Sequence, residues 1–384
     1  MPESPYEDRE QTAVKHRILE RYLSAFVPIV GNWALDIAYV DCLAGPWQSV
    51  DPNLKDTSFA RALDVLRSTQ AVLAGRGKSP TMRCLFVEKE SQAFALLKRY
   101  CDGVTDIEVN PRNWDLTTHI SDVVKFVKQR NNSFPFIFID PKGWEPLEID
   151  LISPILALEP GEVLITFMTS WITRFLTDES KGFDRIFRSD LTRLMQLHGE
   201  ELEEEAVKSY ANSVRKAGHF QYVCTLPVMK PDQDAFHFHM IYGTRHLRGV
   251  EVFKETEKNI IPFMHVTRAQ AQHRRRFEQS GQLSMLKPEA HYKEKKFTQF
   301  QLRSLEVAKS ELQRMLQASK EVLYDDAWAT VMQHPGVMED DLRQWINDWK
   351  GAELLQITNE RPTQKWPKKG QRQYLKWRSA PKKT

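Results

Sequence analysis

The sequence predicts an α/β fold with a doubly wound, mostly parallel sheet of the Rossmann-like kind. Short apolar runs alternate five times with amphipathic helical segments over about the first 170 residues, and this alternation favours parallel strands joined by helices. Three of the apolar runs lead into a carboxylate, at Asp41, Glu88 and Asp140. Because right-handed crossovers place successive strand ends on one side of a sheet, these acids are expected to lie along one edge.

The elements are predicted in order along the chain. An amphipathic helix with apolar residues at helical spacing runs from Val14 to Ile29 and ends at Gly31. Ser58 and Ser91 are expected to cap the next two helices, and helical spacing recurs at residues 116–127. Strands are predicted at residues 38–40, 83–87, 107–109, 134–139 and 162–167, and the continuously apolar fourth strand is expected to be central.

The chain is expected to form two domains joined by a linker. Residues 1–262 hold the Rossmann-like domain, with a helical insertion at residues 173–217 and a hairpin of strands 220–228 and 236–242 that supplies an antiparallel edge strand. Residues 263–294 are predicted to be a basic helical linker. In residues 295–384 the order helix, helix, strand, wing, strand predicts a winged-helix-like domain with a basic C-terminal tail.

Composition excludes several classes of protein. The 384 residues are 41% hydrophobic and 27% charged, and there is no apolar run of about 18 residues that would predict a transmembrane helix. The first ten residues are polar and acidic, unlike a signal peptide. The four cysteines form no CxxC pair, and His237 and His239 lack a cysteine or carboxylate partner at ligand spacing. We therefore expect a cytoplasmic protein with inert thiols, no metal and no membrane partner.

The segment from Tyr39 to Trp47 is the most informative in the chain. An apolar strand ends in Asp41, and the small residues Ala44 and Gly45 allow main-chain groups to approach a ligand closely. These residues could hold the amino-acid end of S-adenosylmethionine. The alternative is a tight strand-to-helix turn without a ligand, and Trp47 stands where a second glycine is expected.

Two further acids have positions suited to the rest of this cofactor. Glu88 closes the second strand, where a carboxylate can accept hydrogen bonds from both ribose hydroxyls; the alternative is an exposed acid that begins a helix. Asp115, after Trp114, could accept the adenine amino group, and it could equally cap a helix. With Asp41 and Asp140, the four motifs in this order predict a methyltransferase core of class I.

Candidate catalytic residues follow the fourth strand. Asp140 and Pro141 stand at its carboxyl end, where an acceptor could hold an exocyclic amine while the nitrogen lone pair attacks a methyl group. Trp144 could stack on a base flipped out of a nucleic acid. Amino-methyltransferases have a similar run of Asp or Asn, two prolines and an aromatic residue, whereas here Lys142 and Gly143 intervene. The alternative is an acid that caps the following turn.

Basic residues interleaved with aromatic residues suggest nucleic-acid binding. The last 24 residues contain nine Lys or Arg and no acid. Cations there could contact phosphates, with Trp366, Tyr374 and Trp377 available for stacking. A solvated charged face is the alternative, and an acidic helix at residues 339–348 favours a protein partner for that part. The candidate phosphate-binding residues are Arg274, Arg275, Arg276, Lys365, Lys368, Lys369 and Arg372.

The chain resembles the three-Cys-motif partner protein family, a group of bacterial and phage-associated methyltransferase-like proteins. The resemblance covers about residues 10–265. It depends on Lys15 with Tyr22-Leu23, Val40-Asp41 with Ala44-Gly45-Pro46, Phe86-Val87-Glu88-Lys89, Ile139-Asp140-Pro141, the insertion at 183–218, and Met240-Ile241-Tyr242-Gly243 with His246 and Gly249.

This resemblance implies an S-adenosylmethionine-binding fold and a partner protein with a three-cysteine, iron–sulfur-like motif, which this chain itself lacks. Two functions remain in competition. One is a methyltransferase that acts on or with nucleic acid. The other is a non-catalytic scaffold of the same fold that works through its partner in a phage-associated or defence complex.

Overall fold

Seven strands form one sheet in the N-terminal part of the protein, as a computed structural model shows. The structure describes residues 6–46, 49–176, 182–187, 190–280, 294–360, 364 and 366–378. The chain divides into an N-terminal unit of residues 1–293 and a C-terminal unit of residues 294–384. The strands are β1 (Asp36–Asp41), β2 (Thr81–Val87), β3 (Glu108–Arg112), β4 (Ser133–Ile139), β5 (Glu162–Phe167), β6 (Tyr222–Met229) and β7 (Phe236–Thr244).

The strand order across the sheet is β3-β2-β1-β4-β5-β7-β6. Strands β1 to β5 pair in parallel, while β7 is antiparallel to both β5 and β6. This arrangement confirms the predicted doubly wound, mostly parallel α/β fold. One detail differs, because the antiparallel strand β7 lies inside the sheet and β6 forms the edge. The short hairpin connection makes β6 and β7 neighbours, and the pairing of β7 with β5 leaves β6 at the edge.

Helices cover both faces of this sheet. Helix α1 contacts both α2 and α10, while apolar residues of α4, α5 and α9 join the core cluster that includes Ile137 and Ile165 of the central strands. The helices are α1 (Glu10–Val30), α2 (Ser58–Ala74), α3 (Ser91–Asp102), α4 (Ile120–Lys128), α5 (Ile149–Leu156), α6 (Thr169–Phe175), α7 (Phe183–Phe187), α8 (Leu191–Leu194), α9 (Gly199–Gly218) and α10 (Leu247–Ser280).

Two helix caps differ from the sequence prediction by one residue. Thr57 rather than Ser58 caps α2, because the Thr57 side chain accepts a hydrogen bond from the Ala60 N–H. Glu90 rather than Ser91 caps α3, since its carboxylate accepts from Gln92 N and Ala93 N. A carboxylate that accepts two N–H bonds satisfies more of a helix start than a serine hydroxyl does.

A fully buried ion pair holds the amino-terminal end of the sheet. Arg83 Nε lies 2.9 Å from Asp36 Oδ2, and the same guanidinium donates to the carbonyl oxygens of Phe126 and Val127 at the end of α4. Breaking a buried pair of this kind typically costs about 3–5 kcal/mol. The pair therefore fixes β1, β2 and α4 at the end of the sheet opposite to the strand ends that carry the candidate site.

Helix α10 is a single element of 34 residues. The boundary predicted between residues 262 and 263 falls inside it, and Arg268 is buried where it donates to the carbonyl oxygens of Lys230 and Gln233. Of the predicted linker, residues 281–293 lie outside the described part of the chain. Among the described helices, none is both long enough and apolar enough to span a membrane.

Within its described residues, the C-terminal unit combines three helices with a small antiparallel sheet of strand order β8-β10-β9. The two-residue strand β8 was not predicted, because so short a strand has no periodicity to detect. In chain order the elements are α11 (Lys296–Ala318), β8 (Val322–Leu323), α12 (Tyr324–Met332), α13 (Glu339–Gly351), β9 (Leu355–Thr358) and β10 (Tyr374–Trp377).

Candidate functional site

The ends of strands β1, β2 and β4 bring three carboxylates to one edge of the sheet. Asp41 is in register with Phe86 on β2 and with Phe138 on β4. Glu88 and Asp140 each follow these register partners by two residues. The loop after β1 is tied to the second strand, because Ala44 N–H donates to the Val87 carbonyl over 2.8 Å. The Ala44 N–H is therefore engaged within the protein.

Asp41 is fully buried at the end of β1. Its Oδ2 accepts a hydrogen bond from Ser58 Oγ at 2.6 Å, and its Oδ1 accepts from Leu43 N at 3.3 Å. Burial raises the pKa of Asp41 to about 7, although both hydrogen bonds oppose that shift. This carboxyl group therefore gains or loses its proton near neutral pH. Gly45 follows in the half-buried part of the same loop, and Trp47 lies outside the described residues.

Glu88 is 2% exposed. It is therefore not the exposed acid at a helix start that the alternative interpretation predicts. Its Oε1 accepts from Glu90 N at 2.6 Å, while Asn113 Nδ2 donates to its carbonyl oxygen at 2.8 Å. Desolvation lowers the pKa of Lys142, and the charges of Glu88 and Glu90 act against that shift. Lys142 is therefore an electrostatic neighbour of Glu88 that the sequence did not reveal.

Asp115 caps a short 3-10 turn. Its Oδ1 accepts from Thr117 N at 2.9 Å and from Thr117 Oγ1 at 2.7 Å. These bonds and the nearby Lys89 lower the pKa of Asp115, although desolvation acts in the opposite direction. The Trp114 ring stacks on the His119 ring with the centroids 5.1 Å apart. The contacts of Asp115 are thus those of a helix-capping residue. Its side chain also remains partly exposed after the end of β3.

Asp140 makes a contact with a residue 125 positions earlier in the chain. Lys15 Nζ on α1 lies 2.5 Å from Asp140 Oδ2, and both side chains are mostly buried. Pro141 is buried beside it. The sequence includes Lys15 in the family resemblance but predicts no role for it at the site, because nothing in a helical lysine indicates a partner 125 residues away.

Trp144 is held in an aromatic cluster of the helical insertion. Its ring centroid lies 5.0 Å from that of Phe183, 5.5 Å from that of Trp171 and 6.1 Å from that of Phe175. The side chain therefore supports the packing of α6 and α7. The Trp144 ring is therefore not free to stack on a flipped base. Its aromatic partners are distant in sequence, so the local motif could not reveal them.

Two histidines of β7 lie at the same edge as the candidate site, because β7 begins where β5 ends. His239 is in register with Phe167, and its Nδ1 lies 3.3 Å from Thr169 Oγ1. Burial lowers the pKa of His237 to about 4, so its imidazole is uncharged at neutral pH. Across the described part of the chain, no group of three or more metal-ligating side chains comes together.

The arginines of α10 form ion pairs within the N-terminal unit. Arg274 lies 3.0 Å from Glu7 and donates to Glu10, and Arg275 lies 2.5 Å from Asp232. These contacts tie α10 to the start of the chain and to the connection between β6 and β7. Arg276 is exposed and also has interactions of its own.

The described cations of the loop before β10 have different surroundings. Lys369 Nζ lies 3.6 Å from the centre of the Trp328 ring, and Gly370 N–H donates to Asp325. Lys368 and Arg372 are exposed, whereas Lys365 lies outside the described residues. The aromatic residues predicted to interleave with these cations, Trp366, Tyr374 and Trp377, are all half-buried.

Comparisons with known proteins return distant structural likenesses. No protein-family model matches the chain, and no curated protein matches it. A Legionella pneumophila protein of the family model DUF519 aligns with 12% identity over 65% of this chain and 90% of its own, at a TM-score of 0.37. Loganic acid methyltransferase with SAH aligns with 10% identity over 70% of this chain and 89% of its own, at a TM-score of 0.30.

Likenesses at this level do not indicate a shared activity. The internal geometry carries the fold assignment: five parallel strands are followed by a hairpin, and the antiparallel strand of that hairpin pairs with β5. The N-terminal unit therefore has a Rossmann-like, doubly wound α/β fold.

Proposed function

We propose that this chain is an S-adenosylmethionine-dependent methyltransferase that acts on an amine of a nucleic acid. The observation that carries the proposal is the position of Asp41, Glu88 and Asp140 at adjacent strand ends, where the register of β1 with β2 and β4 brings them together. Ligands of open parallel sheets bind outside the carboxyl ends of the strands, where this edge lies.

The chemistry of these side chains fits the cofactor. Glu88 is an acceptor for ribose hydroxyls, and an ionised Asp41 complements an ammonium group. Asp115 is an acceptor within reach of the adenine end of such a site, beside the stacked Trp114. A carboxylate offers about four acceptor positions, so Glu88 can accept ribose hydroxyls while it keeps its bond from Glu90 N.

Asp140 is proposed as the residue that holds the acceptor amine. When bound, S-adenosylmethionine supplies an electrophilic methyl group. Asp140 accepts a hydrogen bond from one N–H of the amine, orients the nitrogen lone pair and takes the proton that leaves. Lys15 pairs with the Oδ2 atom of Asp140, so the amine either shares this carboxylate with Lys15 or displaces the lysine from it. Pro141 restricts the backbone directly after Asp140.

Different features of the C-terminal unit support binding of nucleic acid and binding of a protein partner. The exposed cations Lys368 and Arg372 support phosphate contacts by the C-terminal unit, which we propose to be winged-helix-like. The acidic first turn of α13 would be repelled by phosphates and suits a protein partner instead. The family resemblance supports a partner with a three-cysteine motif.

A second candidate function, a non-catalytic scaffold, is favoured by three contacts. Trp144 is held in the aromatic cluster, Lys15 neutralises Asp140, and Lys142 lies beside Glu88. A site whose carboxylates are matched by internal cations can be stable without a ligand. In this second function the fold would present surfaces to the partner protein.

Methyl transfer distinguishes the two functions. The full chain is incubated with methyl-labelled S-adenosylmethionine and with single-stranded or duplex RNA and DNA, and label on the nucleic acid is counted. The proposal expects label that Asp140→Ala abolishes and that Asp150→Ala, an exposed acid on α5, leaves unchanged. Absence of label on all four substrates, from protein shown to bind the cofactor, would favour the scaffold.

A further inference from the structure

Arg9, directly before α1, contacts the loop that joins β1 to α2. Its Nη2 donates to Asp56 Oδ2 over 2.8 Å, and only 13% of the Arg9 side chain and 1% of the Asp56 side chain are exposed. The ring of Tyr6 lies beside the same guanidinium, with its centre 5.8 Å from Arg9 Cζ. Breaking an ion pair so far removed from water leaves a buried charge without its partner, so this contact holds the two segments together firmly.

Asp56 closes the loop on itself. Its carboxylate also accepts hydrogen bonds from Ser49 Oγ and, over 3.0 Å, from Val50 N, so one side chain ties the beginning of the loop to its end. Burial acts to raise the pKa of Asp56, but the hydrogen bonds from Ser49 and Arg9 outweigh it, and the pKa is lowered. Asp56 is therefore ionised at neutral pH, and Arg9 supplies the cation that a buried carboxylate requires.

Both ends of this closed loop lead to the candidate site. At its beginning, Ser49 N–H donates to the Pro46 carbonyl over 3.2 Å, in the turn that follows β1. At its end, two residues after Asp56, Ser58 Oγ donates to Asp41 Oδ2 over 2.6 Å. A continuous series of contacts thus connects Asp56 with Asp41 and with the turn after β1.

We propose that Arg9 is a positioning residue of the candidate site: by holding Asp56, it fixes Ser58 against Asp41 and fixes the turn after β1 where the amino-acid end of the cofactor would bind. The role toward the cofactor rests on the proposed function, whereas the role toward Asp41 does not. A displacement of about 1 Å in a binding site can cost much of its affinity or rate, so a residue that acts at this distance can still matter.

The pKa of Asp41 depends on this arrangement. Burial raises it to about 7, the hydrogen bonds from Ser58 and Leu43 N oppose that shift, and the charges of Asp140 and Lys15 raise and lower it respectively. Loss of the Ser58 bond should therefore raise the pKa of Asp41 further. The neighbouring titratable groups that burial keeps uncharged are Tyr39, Cys42 and Cys84.

Carboxyl-carbon NMR of the full chain, isotope-labelled at aspartate, measures the titration midpoint of Asp41, whose signal is assigned by its loss in Asp41→Asn. The variants are Arg9→Met, Ser58→Ala and the double variant of these two. Arg9→Gln keeps a hydrogen-bond donor and decides the test if Arg9→Met does not fold. The matched control is Arg67→Met, which breaks a partly exposed pair with Asp106 on the same N-terminal unit. Calorimetric titration with S-adenosylmethionine is carried out on the same proteins.

Ser58→Ala should raise the midpoint of Asp41 by about one pH unit, as expected when a hydrogen bond to a charged acceptor is lost. Arg9→Met should raise it in the same direction, and the double variant should raise it no further than Ser58→Ala does, because Arg9 acts through Ser58. Affinity for S-adenosylmethionine should fall about fivefold or more in Arg9→Met. Both quantities should be unchanged in Arg67→Met.

Two results would overturn the positioning of Asp41. One is an unchanged midpoint in folded Arg9 variants that have lost stability, since Arg9 would then only stabilise the fold. The other is a double variant in which the two shifts add, since the charge of Arg9 would then act on Asp41 directly. Unchanged affinity in Arg9→Met would overturn its role toward the cofactor. No binding by the wild-type protein, with the midpoints shifted as expected, would overturn the proposed function and support the positioning of Asp41.

Discussion

Lys15 on the first helix and Asp140 after the fourth strand form a mostly buried ion pair, with Nζ and Oδ2 2.5 Å apart. This contact makes α1 part of the candidate site, whereas helices of a doubly wound fold usually only cover the sheet. An amine that accepts the methyl group must therefore share the Asp140 carboxylate with Lys15 or displace Lys15 from it. The energetic coupling of this pair is therefore relevant to function as well as to stability.

A double-mutant cycle on Lys15→Ala and Asp140→Ala is expected to give a coupling energy of about 1–3 kcal/mol, because both side chains are largely removed from water. Urea denaturation of the four proteins measures it. The exposed pair Lys98 and Asp102 on α3 serves as the control, with a coupling of about 0.5 kcal/mol or less. Equal coupling in both pairs would show that the contact at Asp140 has no special strength.

The raised pKa of Asp41 predicts a pH dependence of stability. An unfolded aspartate loses its proton near pH 3.9, whereas the folded protein retains it until about pH 7. The folded state therefore binds the extra proton, and the free energy of unfolding falls between about pH 4 and pH 7 and is then constant. Asp41→Asn should remove this component, up to about 4 kcal/mol at 1.36 kcal/mol per pKa unit.

Comparing urea denaturation of Asp41→Asn with that of the wild-type protein isolates this group from all other titrations. The variant should gain stability relative to wild type as the pH rises through that window. A difference in unfolding free energy that stays constant from about pH 4 to pH 8 would mean that Asp41 is ionised throughout, as for an ordinary exposed carboxyl group.

Salt dependence tests the basic residues near the C-terminus. If they bind phosphates, replacing Lys365, Lys368, Lys369 and Arg372 together with alanine should weaken nucleic-acid binding. The slope of log affinity against log salt should fall by about 0.7–0.9 for each phosphate that is no longer neutralised. Lys369 already lies against Trp328, so it is expected to contribute least.

A matched quadruple variant on the N-terminal unit controls for net charge. Filter binding at several salt concentrations, with both variants and the wild-type protein, gives the slopes. Identical affinity and slope in the C-terminal quadruple variant and the wild type would show that these cations only solvate the surface. The control positions are Lys98, Lys125, Lys128 and Lys208.

The sequence predicted the sheet well because strand patterns are local. The apolar run at Glu162–Phe167 coincides with β5, and Phe134 to Ile139 differs from β4 by one residue. The helix caps were predicted less well, since Ser58 donates to Asp41 and leaves the capping position to Thr57. A serine that has a long-range partner cannot be distinguished from a cap by spacing alone.

The candidate site was predictable in its position but not in its contacts. Parallel strands placed Asp41, Glu88 and Asp140 at one edge, which follows from topology. The pairing of Lys15 and the packing of Trp144 depend on α1 and on the insertion, elements distant in sequence. Contacts of that kind arise from tertiary packing, and no local motif encodes them.

Calorimetric titration with S-adenosylmethionine and S-adenosylhomocysteine tests the central claim most directly. Saturable binding to the wild-type chain is expected, weakened in Glu88→Ala by about 1–3 kcal/mol through loss of charge-assisted hydrogen bonds. Glu108→Ala, which removes an exposed carboxylate on β3, should bind as the wild type does. No binding by the folded wild-type protein would rule out the proposed cofactor site, and equal affinity in folded Glu88→Ala would rule out a ribose contact by Glu88.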